Sequence, residues 1–348
     1  MQNTIKIIRE ALAEPRRRVA ASGMVPEGTG ALPTASVGEE PLYDDREVRA
    51  ICDLLLEEVC GITRADRILH PDRVLPDEQR ERLLQMAQQL REGVPVQQAL
   101  GYEWFCGARF EVTPDVLIPR PETAELVDWI VTSARNRKRH ADSVASSTAG
   151  IDTAEGGFTR ICDIGTGSGC IALSLARLIG GAEVLAVDIS VAALDVARRN
   201  ACRQGVDNVQ FVQCDILAEA DAADGEPEPG ATDVMASELS SLDGAAFDLI
   251  VSNPPYICRR EASEMSRNVF QYEPDGALFV PDDDPLLFYR AIARFGRRHL
   301  HPGGELYFEI NAAYGRETCA LLASLGYADV ELRQDINGRD RMVRAFNL

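Results

Sequence analysis

The chain has 348 residues, 45% hydrophobic and 26% charged, which is enough to fill about two packed domains. Its 36 basic and 55 acidic residues give a formal net charge of −19, and there is no Lys or Arg from Gln204 through Cys258. Such a surface repels nucleic acid, so we expect no direct nucleic-acid partner. No apolar run approaches the ~20 residues of a membrane helix, and the N-terminus lacks a signal-peptide pattern. We therefore expect a cytoplasmic protein with no membrane partner.

The cysteines and histidines argue against a disulfide framework and against zinc. The nine cysteines never fall as C-x-x-C, and the four histidines have no Cys/His ligand spacing. This usage is typical of reduced thiols, and we expect no metal site.

Three segments differ in composition from the rest of the chain. Residues 15–41 are rich in Pro, Gly, Ala and Ser, residues 134–158 are small and polar, and residues 219–246 are acidic and free of aromatic residues. None has a helical or strand period, so we interpret them as flexible insertions or linkers. Residues 1–41 are accordingly expected to form a partly flexible extension.

A small helical domain is predicted over residues 42–100. From Asp44 to Cys60 apolar residues recur at helical spacing, and Gly61 follows as a stop signal. A second helix is predicted from Asp77 to Glu92, ended by Gly93. A helical bundle by itself indicates no function.

Strands and helices alternate from Arg160 onward. Strands are predicted at 160–164, 182–189, 208–215, 247–255, 303–310 and 341–346, and helices at 168–180, 190–205 and 287–300. This order predicts an α/β fold with a doubly wound, mostly parallel sheet. Ligands of such sheets bind beyond the carboxyl ends of the strands, where the strand order reverses.

A glycine-rich motif joins the first of these strands to its helix. It begins at Asp163 and continues as Gly165, Thr166, Gly167, Ser168 and Gly169, while Asp188 ends the second strand. The glycines let the backbone approach a ligand, and an acidic side chain at the second strand end can accept both hydroxyls of a ribose. A third glycine one position earlier than in dinucleotide-binding motifs favours S-adenosylmethionine, which carries no phosphate. A tight packing turn is the alternative reading.

Polar residues occur at the ends of two further predicted strands. Asp215 follows the third strand, where it can accept from an adenine amino group or simply cap a helix. The fourth strand ends in Asn253-Pro254-Pro255-Tyr256. Prolines end the ladder and leave carbonyls free, while Asn and Tyr add an acceptor and a flat face. This arrangement suits a planar –NH₂ group, so the target is an amide or an exocyclic base amine.

The chain resembles the PrmC/HemK family of release factor glutamine methyltransferases over residues 42–348, apart from the two internal insertions. The run IPRPET at 118–123 is the most specific feature, because many amino-group methyltransferases share NPPY. The other matching stretches are PVQQALGYEWFCGARF within 95–127, DIGTGSGCIAL at 163–173, FDLIVSNPPYI at 247–257, YEPDGAL at 272–278, PGGELYFEI at 302–310 and INGRDRMV at 336–343. The sequence departs from the family pattern at Ala124, often Glu, and at Asn311, often Gly.

The resemblance implies a seven-stranded class I, Rossmann-like methyltransferase domain over 121–348, preceded by the helical domain, which would dock the release factor, and by a β-hairpin linker at 101–120. It also implies roles for individual residues. The cofactor would be held by the glycine loop, Asp188, Asp215 and Ile216. Asn253 and the backbone of Pro254 would accept from the substrate amide, with Tyr256 packed beside it. The pocket would be walled by Phe105, Arg120, Pro121 and Glu122, although Arg120 and Glu122 can equally form a structural ion pair.

The implied activity is methyl transfer from S-adenosylmethionine to the N5 amide nitrogen of a glutamine in a glycine-flanked, GGQ-type loop of class 1 release factors. We expect the enzyme to be a monomer. Three other functions stay open: a glutamine methyltransferase acting on a ribosomal protein, a nucleic-acid amino-group methyltransferase, and a non-enzymatic S-adenosylmethionine-binding module. IPRPET disfavours the first, the acidity of the chain disfavours the second, and an intact NPPY disfavours the third.

Overall fold

The computed structural model describes residues 1–13, 42–147, 158–221, 246–264 and 271–348. The chain divides into two compact units, Met1–Leu100 and Gly101–Leu348. Within the described residues, no helix has the length and apolarity needed to cross a bilayer.

The first unit is helical. Its helices are α1 (Gln2–Ala13), α2 (Asp45–Cys60), α3 (Arg64–Leu69), α4 (Asp77–Glu92) and α5 (Val96–Leu100). Asp44 caps α2 by accepting from the backbone of Arg46 and Glu47, and Gly61 ends it at φ 62°. Gly93 ends α4 in the same left-handed conformation, at φ 96°. The two predicted helices and their glycine stops are confirmed.

Helix α1 was not predicted, and it changes the description of the N-terminus. Its Ile8 and Leu12 are almost fully buried and share one core with Leu55 of α2 and Leu83 of α4. The first 13 residues are therefore part of the helical unit rather than a flexible extension. The proposed linker at 15–41 lies outside the described residues.

A β-hairpin opens the second unit. Strands β1 (Tyr102–Phe105) and β2 (Ala108–Glu111) pair antiparallel, with Phe105 opposite Ala108. Both turn residues have positive φ, 46° at Cys106 and 77° at Gly107. Such a two-residue turn matches the twist of the strands that it connects.

Seven strands form the main sheet of this unit: β3 (Arg160–Ile164), β4 (Glu183–Asp188), β5 (Val209–Gln213), β6 (Phe247–Ser252), β9 (Leu300–Glu309), β10 (Tyr327–Gln334) and β11 (Asp340–Asn347). Their order is β10-β11-β9-β6-β3-β4-β5. The pairs from β9 to β5 are parallel, and β11 runs antiparallel to both of its neighbours. The predicted fold class is confirmed. The chain winds outward from β3 to β5 and then returns to the other side of β3, which places the switch point between β3 and β6.

Helices cover both faces of this sheet. They are α6 (Pro121–Ser147), α7 (Cys170–Leu178), α8 (Val191–Gln204), α9 (Ile216–Asp221), α10 (Asp275–Leu278), α11 (Leu287–His299) and α12 (Gly315–Ser324). A short parallel pair, β7 (Ile257–Cys258) and β8 (Phe279–Val280), lies outside the main sheet. Alternation along the strands divides the core, so that Ile161 and Tyr307 belong to one cluster and Cys162 and Phe308 to the other.

The interpretation of residues 134–158 as a flexible insertion is partly wrong. Helix α6 continues to Ser147, Ala134 is buried, and Phe158 is 1% exposed. Arg137 stacks on the Phe158 ring and pairs with the buried Glu305 at 2.8 Å. The acidic segment at 219–246 begins within α9, and its residues 222–245 lie outside the described part of the chain.

Candidate active site

A cavity of about 420 Å³ lies at the carboxyl ends of the four adjacent parallel strands β6, β3, β4 and β5. Each of these strands delivers a predicted residue to its wall: Gly165 after β3, Asp188 at the end of β4, Asp215 after β5 and Asn253 after β6. The volume is in the range of small-molecule sites. The topology therefore joins four motifs that span 89 positions of the sequence.

The glycines of the loop after β3 play two different roles. Gly165 and Gly167 have φ of 74° and 55°, and a Cβ built on either would meet no atom within 4 Å. Both residues line the cavity, so a side chain there would occupy ligand space. Gly169, at φ 80°, instead packs within 3.1 Å of Ala197 of α8, measured from the position of an ideal Cβ. It permits close helix packing and does not line the cavity.

The backbone N–H groups of this loop are used within the protein. Those of Gly165 and Thr166 donate to the carbonyl of Val187 at 2.8 and 2.9 Å, and that of Gly167 donates to Asp188. These three N–H groups are thus bonded within the protein, and contact of the loop backbone with the cofactor stays a prediction. The loop favours ligand binding by leaving space, and its hydrogen bonds fasten it to β4.

Asp188 is held in place by two backbone donors. Its Oδ2 accepts from Gly167 N at 2.8 Å, and its Oδ1 accepts from Ser190 N at 2.9 Å. Burial raises the pKa of this carboxyl, while the backbone hydrogen bonds oppose the shift. Asp188 lines the cavity, and each of its carboxylate oxygens keeps acceptor capacity beyond these two bonds, as a diol ligand requires.

Asp163 lies beneath the loop and does not line the cavity. It is fully buried, and its Oδ2 accepts from Thr166 Oγ1 at 2.7 Å and from Ala172 N at 3.1 Å. Burial raises its pKa to about 7. Its role is to hold the loop against α7. Thr166 and Ser168, both predicted, do line the cavity.

Asp215, at the end of the third strand, caps a helix and also lines the cavity. The side chain accepts from Leu217 N at 2.9 Å and thus caps α9, while Asp215 and Ile216 both line the cavity. Ile216 adds apolar surface beside Ile189, Phe288 and Ile292. These side chains can pack on the faces of a flat aromatic ligand.

The last residue of the NPPY segment differs from the first three in its position relative to the cavity. Asn253, Pro254 and Pro255 line the cavity, but within the described part of the chain Tyr256 does not. The Tyr256 hydroxyl donates to the buried Glu309 at 3.2 Å, and burial raises its pKa well above the usual value. The Tyr256 ring is partly buried and packs against the hydrophobic core, and its predicted contact with the substrate stays a prediction.

Asn253 has one satisfied and one unsatisfied amide atom. Its Nδ2 donates to Thr123 Oγ1 at 3.3 Å. Its Oδ1 is buried and has no hydrogen-bond partner among the described residues. A buried acceptor without a donor costs about 1–3 kcal/mol, so a ligand N–H at this position would remove a penalty.

Several residues predicted to wall the pocket lie elsewhere. Phe105 is 4% exposed and packs edge-on against Phe110 at 5.9 Å in the hydrophobic core. Pro121 and Glu122 begin α6 and do not contribute to the described lining. Phe105 instead belongs to the hydrophobic core, and at the start of α6 it is Thr123 that lines the cavity.

Arg120 does line the cavity, but its ionic partner is not Glu122. The guanidinium pairs with Glu273, whose side chain is fully buried and also accepts from Ile118 N at 3.4 Å. Burial raises the pKa of Glu273, and Arg120 opposes that shift. This pair connects the IPRPET segment to the YEPDGAL segment.

Sequence reasoning missed the roles of Thr123, Glu273 and Glu309. All three occur inside stretches that had been matched to the family, IPRPET, YEPDGAL and PGGELYFEI. Only the contacts made by the folded chain show that these stretches meet beneath one cavity.

The residues present fit S-adenosylmethionine. A braced carboxylate lines a cavity of nucleoside size, two glycines keep part of its wall free of side chains, and apolar residues such as Ile216 and Phe288 line the same cavity. The three aspartates in the lining, Asp115, Asp188 and Asp215, complement a positively charged ligand.

Two family models match the chain: "PrmC N-terminal domain" over residues 42–101 and "Methyltransferase domain" over residues 157–284. A release factor glutamine methyltransferase of Bacteroides thetaiotaomicron is 40% identical over 88% of this chain and 95% of its own length. The Flavobacterium psychrophilum protein of the same description is 39% identical over 87% of this chain and 93% of its own.

The hMettl16 catalytic domain in complex with MAT2A 3′UTR hairpin 6 is 16% identical, covers 78% of this chain and 82% of its own, and has a TM-score of 0.46. This similarity is too low to indicate function. The identity and coverage of the curated relatives, in contrast, show that this chain belongs to the release factor glutamine methyltransferase family.

Proposed function

We propose that this methyltransferase transfers a methyl group from S-adenosylmethionine to the side-chain amide nitrogen of a glutamine in a class 1 release factor. The observation that carries the proposal is the buried Asn253 Oδ1, an acceptor without a partner in the wall of the cavity. It suits an –NH₂ donor. Membership of the release factor glutamine methyltransferase family supports the same amide as substrate.

Asn253 and Pro254 would orient the amide. The two N–H bonds of a primary amide diverge in one plane, so two acceptors, Asn253 Oδ1 and the Pro254 carbonyl, can bind both. This leaves a face of the nitrogen directed toward the cofactor. Positioning of this kind can lower a barrier by up to ~7–11 kcal/mol.

The same two acceptors stabilise positive charge as it develops on nitrogen. When bound, S-adenosylmethionine supplies an electrophilic methyl group whose departure leaves a neutral thioether. By analogy with oxyanion-hole donors, one preorganised dipole contributes about 3–4 kcal/mol. The proton can leave to water after transfer, so no base is required beforehand. Cys170, in the wall, is not such a base, because burial raises its pKa far above its usual value.

The helical unit would recognise the body of the release factor. It carries large exposed apolar side chains at Ile68, Leu69 and Val74, which are 75%, 71% and 83% exposed. A second contact raises the effective concentration of a tethered glutamine loop. Intact release factor should therefore be a much better substrate than a short glutamine peptide. Because the chain has a formal net charge of −19, its affinity for a release factor with a basic loop should also fall as salt rises.

The test is methyl transfer from labelled S-adenosylmethionine to purified release factor, followed by peptide mass mapping of the modified residue. Asn253→Ala should lower kcat at least about 100-fold at saturating cofactor while the fold persists. Preferential methylation of a ribosomal protein or of DNA would overturn the assignment. Near wild-type turnover by the variant would remove the proposed amide clamp.

A further inference from the structure

Three hydrogen bonds run from Asn253 into the core of the second unit. Asn253 Nδ2 donates to Thr123 Oγ1 at 3.3 Å, and the Thr123 hydroxyl donates to Glu309 Oε2 at 2.6 Å. The Tyr256 hydroxyl donates to the other oxygen, Glu309 Oε1, at 3.2 Å. Thr123 is 2% exposed and Glu309 is 1% exposed, so water does not substitute for these partners.

The direction of these bonds follows from the charge of Glu309. A carboxylate only accepts, so the single hydrogen of the Thr123 hydroxyl is committed to it. The Thr123 oxygen can then only accept a hydrogen bond from Asn253, so the NH₂ group of Asn253 must be the donor. The amide oxygen of Asn253 therefore points away from Thr123, and it has no hydrogen-bond partner among the described residues.

We propose that Thr123 and Glu309 are positioning residues that select the orientation of the Asn253 amide, so that its oxygen and not its NH₂ meets the substrate. This inference rests on the proposed function, since it assumes that the substrate group is a hydrogen-bond donor. With the amide reversed, the NH₂ of Asn253 would face the NH₂ of the substrate, and neither could accept.

Protonation of Glu309 would change the hydrogen bonds that join it to Thr123 and Asn253. Burial raises its pKa, while Thr123, Arg341 and Tyr256 lower it. Several elements contribute charged or titratable groups that interact electrostatically with Glu309. These groups are Glu122 of α6, Arg341 of β11, Tyr256 before β7, Tyr289 of α11 and Cys170 of α7. A protonated Glu309 can donate to Thr123, whose hydroxyl can then donate to Asn253 and permit the reversed amide.

The first experiment removes and restores the hydroxyl at position 123. Thr123→Val should lower kcat roughly 10- to 100-fold, with the KM for release factor and the Kd for S-adenosylmethionine within about threefold of wild type. Thr123→Ser, which keeps the hydroxyl, should recover most of the turnover. Thr318→Val is the matched control: Thr318 is also buried, and its hydroxyl donates to Tyr314 O, one turn earlier in the chain. Loss of this hydroxyl should leave kcat unchanged.

The second experiment follows kcat against pH with both substrates saturating. The wild type should lose turnover as pH falls, because protonation of Glu309 releases the Thr123 hydrogen. Glu309→Gln should start lower and lose this acid limb, and Thr318→Val should keep it. If Glu309→Gln does not fold, the Val and Ser variants at position 123 decide the question, with melting temperature and cofactor affinity reporting their fold.

The outcomes separate this inference from the proposed function. If the wild type methylates no release factor, the proposed function fails before any variant is compared. If the wild type is active and folded Thr123→Val keeps its kcat, or Thr123→Ser is as impaired as Thr123→Val, the positioning role is refuted. A loss confined to melting temperature would likewise reduce Thr123 to a packing residue.

Discussion

Replacement of Asp188 by alanine should weaken S-adenosylmethionine binding about 10- to 100-fold. The carboxylate has about four lone-pair positions, and Gly167 N and Ser190 N take two of them. The remaining two can accept from two ribose hydroxyls. Each charge-assisted bond is worth about 1.5–3 kcal/mol, but water in the open cavity replaces part of it, which leaves about 1.4–2.8 kcal/mol in total.

Calorimetric titration with S-adenosylmethionine measures this loss directly. The matched control is Asp195→Ala, which removes an exposed aspartate of α8 paired with Arg198 and should leave the Kd unchanged. Because burial raises the pKa of Asp188, wild-type affinity should also weaken as pH falls through that pKa, and the alanine variant should lose this response. A Kd within about threefold of wild type would refute the ribose contact.

Three further changes test the supports of the site. Arg120→Leu should destabilise the fold by about 3–5 kcal/mol because it leaves the buried Glu273 unpaired, and urea unfolding of the double variant with Glu273→Gln should recover part of the loss. Asp163 has a folded pKa of about 7, above its unfolded value, so its contribution to stability is present at acidic pH and is lost as pH rises toward 7. Asp163→Asn should therefore gain stability relative to wild type between pH 5 and pH 8, by on the order of 3 kcal/mol, in urea titrations at both pH values. Gly167→Ala should cost about 1 kcal/mol of stability at its positive φ and also raise the cofactor Kd, because its methyl group enters the cavity; calorimetry at constant pH would detect the latter.

Local chemistry accounts for the elements that could be predicted. Ser190 caps the start of helix α8 by accepting from Ala193 N, and Gly205 caps its end at φ 64°, both as expected from the sequence. The strands β3, β4 and β6 are short apolar runs bounded by Gly, Asp or Pro, which is typical of buried parallel strands.

The elements that were missed have weak local signals. Strand β10 reads YADVELRQ, and beyond its first residue it is partly exposed and polar because it is the edge strand of the sheet. The last turns of α6 are polar and lack a stop signal before Ser147. At β10, pairing with β11 outweighs the local pattern.

The sequence by itself determined the family, the fold class and the four strand ends that supply the cavity, because each of these depends on residues that are contiguous in the chain. The Gly165 turn, Asp188, Asp215 and Asn253 were all found in this way, and all four line one cavity.

Only the tertiary structure decided which side chains face that cavity and which support it from behind. Tyr256 is adjacent to the prolines in sequence, yet its hydroxyl donates to the buried Glu309, and Thr123 reaches Asn253 from 130 positions away. Hydrogen-bond direction and burial depend on partners brought from distant segments, and no local pattern specifies them. The unsatisfied oxygen of Asn253 is such a property, because it exists only once Thr123 and Glu309 have been folded behind it.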